Sequence, residues 1–358
     1  MASSGIPRVS PLRIGFVGAG ENTRLRHLPG FRALPGVELV AVANRTPESS
    51  ARVAREFGIA RVAADWRGIV DAPDIDAVCI GTWPYLHAPV SIAALRAGKH
   101  VLTEARMARN GDEAGAMLAA WLQARAAQPG IVAQIVPAPL TLACDATIRR
   151  LLAEGALGQI REVSVVQTNA AQADPSAPLT WRQNLEWSGH NIMTMGIHYE
   201  ALLRWLDDDA DVRAAHGAVF TEERQGGDGR PYRVRIPESL TVLGRFPKTG
   251  ALLRIHLSGV DTTAPRNEVR ISGSEGGLFY DLARGELWLS RRLAGQGAAA
   301  GAAERVEIAA ADRGEWRVEA DFVASIREGA PVRLTDFRTG MRYMRFTDDV
   351  WRALHGSE

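Results

Sequence analysis

The amino-acid sequence predicts an α/β domain with a parallel sheet over residues 1–137 and an α+β domain with a largely antiparallel open sheet over residues 138–358. The chain has 358 residues, which is long for a single domain. In the first third, apolar strand-like runs alternate with helix-like stretches, as in a parallel sheet covered on both faces. After Pro137, strand-like runs follow one another across short turns, which is typical of an antiparallel sheet.

The first domain is predicted from six strands and the helices between them. The strands are predicted over residues 12–17, 37–43, 60–63, 77–81, 100–103 and 131–136. The helices are predicted over residues 21–34, 47–57, 88–97 and 111–128. Gly58 and Gly98 follow two of these helices, at the position where helices commonly end on glycine.

The second domain is predicted to begin with a helix over residues 144–154 and a strand over residues 158–167. Two turns rich in Pro, Gly and Ser, 247–250 and 273–276, predict hairpins between the strand pairs 240–246/251–258 and 269–272/277–281. A further strand is predicted over residues 285–291, and surface loops over residues 222–231 and 294–303.

Composition excludes several classes of partner. The net charge is +1, so we expect no nucleic-acid or membrane partner. The two cysteines, Cys79 and Cys144, form neither a disulfide framework nor a zinc motif, and we predict no metal site. The N-terminus lacks the apolar run of a signal peptide, and together with the low cysteine content this favours a cytoplasmic protein.

A glycine-rich turn follows the first predicted strand. The run is Gly18-Ala19-Gly20-Glu21-Asn22-Thr23, and a helix follows it. This context is typical of a Rossmann dinucleotide site, because glycines allow a tight turn and a close approach to a pyrophosphate at the helix N-terminus. We predict that Gly18, Gly20, Glu21 and Asn22 contact the cofactor. The third fingerprint position is Thr23 rather than Gly or Ala.

The end of the second strand is expected to meet the adenosine ribose. An acidic residue there would bind the 2′-hydroxyl of NAD, but this chain has Asn44-Arg45-Thr46. Arg45 could pair with a 2′-phosphate, which favours NADP. The alternative cofactor is NAD, with Asn44 binding its ribose.

Several segments together resemble the Gfo/Idh/MocA oxidoreductases. They are Gly18-Ala19-Gly20, His27-Leu28-Pro29, residues 37–43, residues 75–78, residues 82–87, residues 94–102, Trp181-Arg182 and residues 195–198. The resemblance implies hydride transfer between nicotinamide C4 and a carbinol carbon of a sugar, polyol or sugar derivative. It also implies cofactor contacts by Thr82, Trp83, His87, Glu104, Trp181 and Arg182. Similar proteins form homodimers or homotetramers through the open sheet, so we expect an oligomer.

The family's catalytic positions are altered in this chain. The usual Glu-Lys-Pro segment reads Glu104-Ala105-Arg106, and Thr194 stands at the usual Asp position four residues before His198. Alanine cannot accept the hydroxyl proton, and Arg106 can stabilise an oxyanion or an anionic substrate but makes a poor base.

The candidate bases are therefore histidine and tyrosine side chains. His198 is the first candidate because its ordinary pKa lies near neutrality, and His190 and Tyr199 are nearby alternatives. If this stretch is helical, His190, Asn191, Thr194 and His198 lie on one face.

Three functions stay open. The first is a sugar or polyol dehydrogenase or reductase. The second is a glycosidase or lyase that uses the dinucleotide without net turnover, which the loss of the lysine favours. The third is a non-catalytic dinucleotide-binding protein, which the loss of both the lysine and the aspartate favours.

Overall fold

The computed structural model describes residues 10–292 and 301–356, and it divides into two compact units. The first unit runs to Met107 and adds Glu113–Val136 and Arg317–Phe337, and the remainder forms the second unit. The sequence prediction placed Arg317–Phe337 in the second domain, whereas Phe322 in that segment packs edge-on against Phe31 of the first unit. Most of the predicted loop 294–303 lies outside the described residues.

The helices and strands have the following bounds. The strands are β1 Leu12–Val17, β2 Val37–Ala43, β3 Arg61–Val62, β4 Ala77–Ile80, β5 His100–Thr103, β6 Ala133–Ile135, β7 Ile160–Thr168, β8 Asp211–Ala218, β9 Glu223–Gln225, β10 Pro231–Arg233, β11 Ser239–Arg245, β12 Leu252–Ser258, β13 Arg266–Gly273, β14 Gly276–Asp281, β15 Glu286–Arg291 and β16 Glu304–Arg305. The helices are α1 Leu28–Arg32, α2 Pro47–Glu56, α3 Arg67–Val70, α4 His87–Arg96, α5 Gly111–Ala127, α6 Leu142–Ala153, α7 Leu185–Ser188, α8 Met195–Leu206, α9 Val318–Glu328 and α10 Phe337–His355.

The first unit contains a six-stranded parallel sheet in the order β3-β2-β1-β4-β5-β6. All residues of β4 are buried, as expected for a strand covered by helices on both faces. The chain reverses its direction of winding between β1 and β4. The carboxyl ends of these two strands therefore mark the switch point at which ligands bind in such sheets.

The predicted helix over residues 21–34 is not a single α-helix. Thr23–His27 form a π-helical turn, and α1 follows it. Pro29 explains part of this departure, because it has no backbone N–H to close the α-helical bond to residue 25.

The second unit contains an eight-stranded sheet in the order β16-β15-β14-β13-β7-β12-β11-β8. Only β7 and β12 are parallel neighbours in this sheet, within the described residues. One face is apolar and buried, with Val163, Val165 and Ile255 among its residues. The helices α6 and α8 also belong to this unit.

The predicted loop over residues 222–231 is wrong in part. It contains β9, which pairs antiparallel with β10 in a separate two-stranded ribbon. Strand β8 was not predicted, because its residues are mostly small or polar, and neither were the helices α9 and α10. Among the described residues, no helix combines the length and the hydropathy that a membrane span needs.

Candidate dinucleotide-binding site

The glycine-rich turn is built around Gly18, which has a φ of +81°. A Cβ on Gly18 would lie 2.8 Å from the backbone nitrogen of Thr82, so both the backbone conformation and the close approach require glycine. The Gly18 N–H donates to the Ala43 carbonyl at 2.8 Å, and the Ala19 N–H donates to Asn44 Oδ1 at 2.6 Å. The turn is therefore fixed to the end of β2.

The space beside the Cα of Gly20 is not filled by neighbouring side chains. A Cβ there would meet only the Gly81 carbonyl, at 3.8 Å. The packing of the chain therefore does not require glycine at this position, whereas a pyrophosphate approaching the backbone would. Glu21 and Asn22 begin the helical turn directly after it. The first amides of such a turn have no intrahelical acceptors, so they can bind a phosphate.

Thr23 occupies the third fingerprint position because the end of β4 makes room for it. Its side chain is buried, and its Oγ1 donates to the Gly18 carbonyl at 3.2 Å. A Cβ on Gly81 would lie 2.0 Å from Thr23 Oγ1 and 2.3 Å from the Gly18 oxygen. Glycine at position 81 thus accommodates the threonine. Gly81 was not predicted as a site residue, although it directly follows a buried strand.

This turn forms part of a cavity of about 530 Å³ within the first unit. The predicted cofactor residues that line the cavity are Gly18, Gly20, Asn44, Arg45, Thr82 and Trp83. It is also lined by residues that were not predicted, Thr46, Ser49, Arg52, Asp65, Trp66 and Gly81. The other predicted cofactor residues of this unit, Glu21, Asn22, His87 and Glu104, lie outside this lining.

The cavity is also lined by two arginines, Arg45 and Arg52. The guanidinium of Arg45 lies 5.0 Å from the ring centre of Trp83, which is a cation–π contact. Neither Arg45 nor Arg52 forms an ion pair with another described residue. Asn44 donates from Nδ2 to Ser49 Oγ at 3.0 Å, and its Oδ1 already accepts a hydrogen bond from the turn. Its amide therefore links the glycine-rich turn to Ser49 of α2.

His87 is buried between two loops. Its Nδ1 lies 2.8 Å from the Arg106 carbonyl and its Nε2 lies 2.9 Å from the Thr82 carbonyl. Burial lowers the pKa of its imidazole. His87 therefore positions the Thr82 loop relative to the segment after β5, and it does not line the cavity.

Glu104 belongs to a buried network of charged groups. Its Oε1 accepts hydrogen bonds from Asn22 Nδ2 and from His27 Nε2, the latter at 3.0 Å, and His27 Nδ1 lies 2.6 Å from Glu319 Oε1. Burial lowers the pKa of His27, but the bonds to both carboxylates outweigh it and raise the pKa to about 9. Burial raises the pKa of Glu104, and the bonds from His27 and Asn22 bring it below its ordinary value. Neither His27 nor Glu319 was predicted as a site residue.

Arg106 is buried at the end of the segment that follows β5, with 2% of its surface exposed. The Ala105–Arg106 peptide bond is cis. The Arg106 carbonyl lies 2.8 Å from His87 Nδ1. Arg106 is thus not a surface cation, and its role as an anion or oxyanion partner stays a prediction.

His198 lies in a polar cluster of the second unit. Its Nε2 is 3.0 Å from Asn267 Oδ1, its Nδ1 is 3.1 Å from the Thr194 carbonyl, and the Thr194 hydroxyl donates to Gln167 Oε1. His198 is 1% exposed, and burial lowers its pKa. The ring is therefore neutral near pH 7. Neither Asn267 nor Gln167 was predicted.

The predicted single helical face for this segment is wrong. The helix α8 begins at Met195, after His190, Asn191 and Thr194. His190 instead bonds through Nδ1 to Asp348 Oδ1 at 2.7 Å. Asn191 donates to the Ala108 carbonyl at 2.8 Å. The positive φ of Gly189 and Met193 prevents a regular helix through this stretch.

The other predicted residues of the second unit occupy two different settings. The Tyr199 hydroxyl accepts the Ala210 N–H at 2.6 Å, and its ring stacks on Phe346. These are the contacts of a packing residue. Arg182 lies 4.3 Å from the ring centre of Trp181, in the loop before α7.

Within the described residues, no group of His, Cys, Asp and Glu side chains could hold a metal ion.

Family models match both units. The model described as an oxidoreductase family with an NAD-binding Rossmann fold matches residues 12–127, and the model of the GFO/IDH/MocA C-terminal domain matches residues 146–279. Among solved structures, an oxidoreductase domain protein from Kribbella flavida has a TM-score of 0.83 at 25% identity, with 96% of this chain and 97% of that chain covered. Levoglucosan dehydrogenase in complex with NADH has a TM-score of 0.81 at 25% identity, with the same coverage.

Two curated relatives are named for sugar substrates. The chain is 29% identical to levoglucosan dehydrogenase of Pseudarthrobacter phenanthrenivorans over 290 residues, which is 75% of this chain and 72% of that protein. It is 31% identical to 1,5-anhydro-D-fructose reductase of Ensifer adhaerens over 215 residues, which is 59% of this chain and 62% of that protein.

Proposed function

The chain belongs to the Gfo/Idh/MocA family of oxidoreductases, and we propose from this premise that it is an NAD(P)-dependent enzyme acting on a sugar, polyol or sugar derivative. The names of the relatives levoglucosan dehydrogenase and 1,5-anhydro-D-fructose reductase support this substrate class. When bound, the nicotinamide supplies a hydride donor or acceptor at C4. The side chains of this protein must bind the dinucleotide, position the substrate and move the hydroxyl proton.

The observation that carries the proposal is the fit of the first unit to a dinucleotide. Gly20 leaves an approach to the backbone that no neighbouring side chain fills. Thr82 lines the same cavity, and its hydroxyl is buried without a hydrogen-bond partner among the described residues. A buried hydroxyl without a partner is costly, so a bound polar ligand would satisfy it.

We propose NADP as the preferred cofactor. Arg45 and Arg52 line the cavity near the end of β2 without an acidic partner, and the position after β2 is Asn44 rather than a carboxylate. Two guanidinium groups suit a 2′-phosphate, to which arginine can donate in bidentate geometry. Asp65 lines the same cavity, but its carboxylate accepts the N–H of Arg67 at the start of α3.

We propose that His198 accepts the hydroxyl proton during oxidation and returns it during reduction. Its lowered pKa keeps the ring neutral, as a base requires. The ring is buried, and its Nδ1 lies 3.1 Å from the Thr194 carbonyl. Because a carbonyl only accepts hydrogen bonds, Nδ1 carries the proton of the neutral ring, and Nε2 is the nitrogen that can act as the base. We assign Arg106 the stabilisation of a developing oxyanion, since a guanidinium stays charged.

One assay tests the redox function and separates it from its alternatives. Levoglucosan and related sugars are incubated with NADP⁺ or NAD⁺, and both nicotinamide absorbance and sugar products are followed. Net formation of reduced cofactor supports the dehydrogenase. Sugar conversion at constant absorbance would instead indicate transient redox chemistry by a glycosidase or lyase, which the alanine at position 105 favours. Tight cofactor binding without conversion of any sugar would indicate a binding protein.

We also propose that the chain forms a homodimer or homotetramer. The large sheet of the second unit exposes apolar side chains, with Leu243 49% and Leu252 57% exposed on β11 and β12. Exposed apolar residues on a sheet face favour burial against a second surface. Light scattering of the purified protein measures the oligomeric state, and a monomer at all concentrations would reject this proposal.

A cytoplasmic location is proposed from the state of the cysteines. Cys79 and Cys144 are free and buried, and burial raises the pKa of both thiols. Free thiols without disulfides fit a reducing compartment.

A further inference from the structure

A second cavity, of about 560 Å³, lies within the second unit. It shares no residue with the cavity of the first unit. Its polar lining consists of His190, Glu222, Arg233, Arg235 and His355, and the indole of Trp351 and a few aliphatic side chains complete it. The proposed cofactor chemistry does not use this cavity.

Two arginines line this cavity without a carboxylate partner. Arg233 ends β10 and Arg235 follows two residues later, and both are exposed while Val234 between them is buried. Neither arginine forms an ion pair with any residue that the structure describes. Arg230, in the same ribbon, does approach Asp228, at 4.0 Å. Two unpaired guanidinium groups on one cavity wall produce a local positive potential that an anion would relieve.

The lining also holds an oriented imidazole, that of His190. Asp348 Oδ1 lies 2.7 Å from His190 Nδ1, and its Oδ2 accepts the Gly111 N–H at 2.7 Å. The His190 ring also stacks on Trp351, with ring centres 4.6 Å apart and planes 9° apart. With Nδ1 committed to the carboxylate, Nε2 is the ring nitrogen left for a ligand.

Glu222 adds an acceptor to the same cavity. Its carboxylate forms no ion pair with Arg233 or Arg235, so it does not neutralise them. A carboxylate accepts hydrogen bonds from hydroxyl groups, whereas the arginines donate to oxyanions. Two arginines and one glutamate give the lining a net positive charge.

We propose that this cavity binds a hydroxylated small molecule that carries an oxyanion, a sugar phosphate or a sugar acid. Arg233 and Arg235 hold the phosphoryl or carboxylate group, His190 Nε2 contacts it or an adjacent hydroxyl, and Glu222 accepts hydroxyl hydrogen bonds. Arginine suits this task because its planar fork matches both carboxylate and phosphate oxygens. The site is independent of the redox reaction proposed above.

Thermal unfolding with three probes at constant ionic strength tests the site. The probes are inorganic phosphate, gluconate as a sugar acid, and glucose as a neutral sugar. A ligand that binds the native state raises Tm in a concentration-dependent manner. We expect phosphate or gluconate to raise the Tm of the wild-type protein, with the effective probe identifying the oxyanion, and we expect glucose to have little effect.

The double variant R233Q/R235Q is expected to lose this rise, and the matched control R230Q is expected to keep it. Phosphate bound at the glycine-rich turn would affect all three proteins equally, so only the difference between them reports the second cavity. Isothermal titration with the same probes measures affinity without heating, and at least a tenfold weaker Kd is expected for the double variant. An equal response of the double variant and the wild type, or no response to either oxyanion, would overturn the proposal.

Discussion

The His27 imidazole lies 2.6 Å from the Glu319 carboxylate, although 292 positions separate the two residues in the sequence. The same ring bonds to Glu104 through its other nitrogen, so one buried cation stands between two carboxylates. Gly30 permits this approach, because a Cβ there would lie 2.8 Å from the Glu319 carboxyl group. The network fixes Glu104 at the carboxyl end of β5, next to the turn that is proposed to bind the cofactor.

Replacing His27 with glutamine is expected to destabilise the protein by about 3–5 kcal/mol, because it leaves two buried carboxylates without their cation. The free energy of unfolding from urea titration measures this loss. R24Q is the matched control, since Arg24 lies on the same helical turn and pairs with Glu56 at the surface. A loss no greater than that of R24Q would contradict the assigned role of His27.

The stability of the wild-type protein is expected to depend on pH through the same residue. The folded pKa of His27 is raised to about 9 from 6.5, so the folded state holds this proton more tightly than the unfolded state. Its contribution is therefore fully present below pH 6.5 and is lost as the pH rises through about 9. Tm measured across this range should fall for the wild type and fall less for His27→Gln. Parallel curves for the two proteins would contradict this account.

The fit of Thr23 against Gly81 predicts a stability defect in Gly81→Ala. The added Cβ would lie 2.0 Å from Thr23 Oγ1, and the Gly18 carbonyl limits any shift. Overpacking of this kind typically costs about 1–3 kcal/mol. Gly130→Ala is the control, because a Cβ there meets no described atom within 4 Å. Equal Tm values for the two variants would show that the turn is looser than described.

Removal of the Arg45 side chain is expected to discriminate between the two cofactors. If Arg45 binds a 2′-phosphate, Arg45→Gln should weaken NADPH binding by about tenfold or more and leave NADH binding nearly unchanged. Arg67→Gln is a close control, since Arg67 stacks on Trp66 at 4.5 Å much as Arg45 stacks on Trp83. An equal effect of Arg45→Gln on NADPH and NADH would reject the NADP preference.

Loss of the His198 side chain is expected to reduce turnover by about two to four orders of magnitude if it moves the proton. Thr194→Val is expected to reduce turnover less, because the backbone carbonyl that lies 3.1 Å from Nδ1 remains. His256→Ala is the control, since His256 bonds to Thr241 between two strands of the large sheet. Steady-state kinetics with the sugar identified in the assay give these values. Near-wild-type turnover of His198→Ala would remove this residue from the mechanism.

Local patterns allowed much of the fold to be predicted from the sequence. Apolar runs such as residues 77–81 are buried strands, and the glycine-rich turn lies where the strand order reverses. Contacts between distant segments could not be predicted in this way. Glu319 reaches His27 from another part of the chain, and Asp348 reaches His190 from α10.

The helix predicted through His190 failed for a different reason. The shared face was conditional on a helix, but Gly189 and Met193 both adopt positive φ, and α8 begins only at Met195. The spacing of residues predicts which side chains share a helix face only where the backbone is helical. Thr23 is a second example. In the sequence it departs from the dinucleotide fingerprint, and only the structure shows that Gly81 makes room for its side chain.

The binding of NADPH and NADH to the wild-type protein and to Gly20→Ala tests the central claim most directly. A Cβ at position 20 has room within the chain, so the variant should keep its Tm, but it would obstruct the approach of a pyrophosphate to the backbone. Fluorescence titration should give saturable binding to the wild type and at least about tenfold weaker binding to the variant. No measurable affinity of the wild-type protein for either dinucleotide, or equal affinity of the variant, would contradict the account.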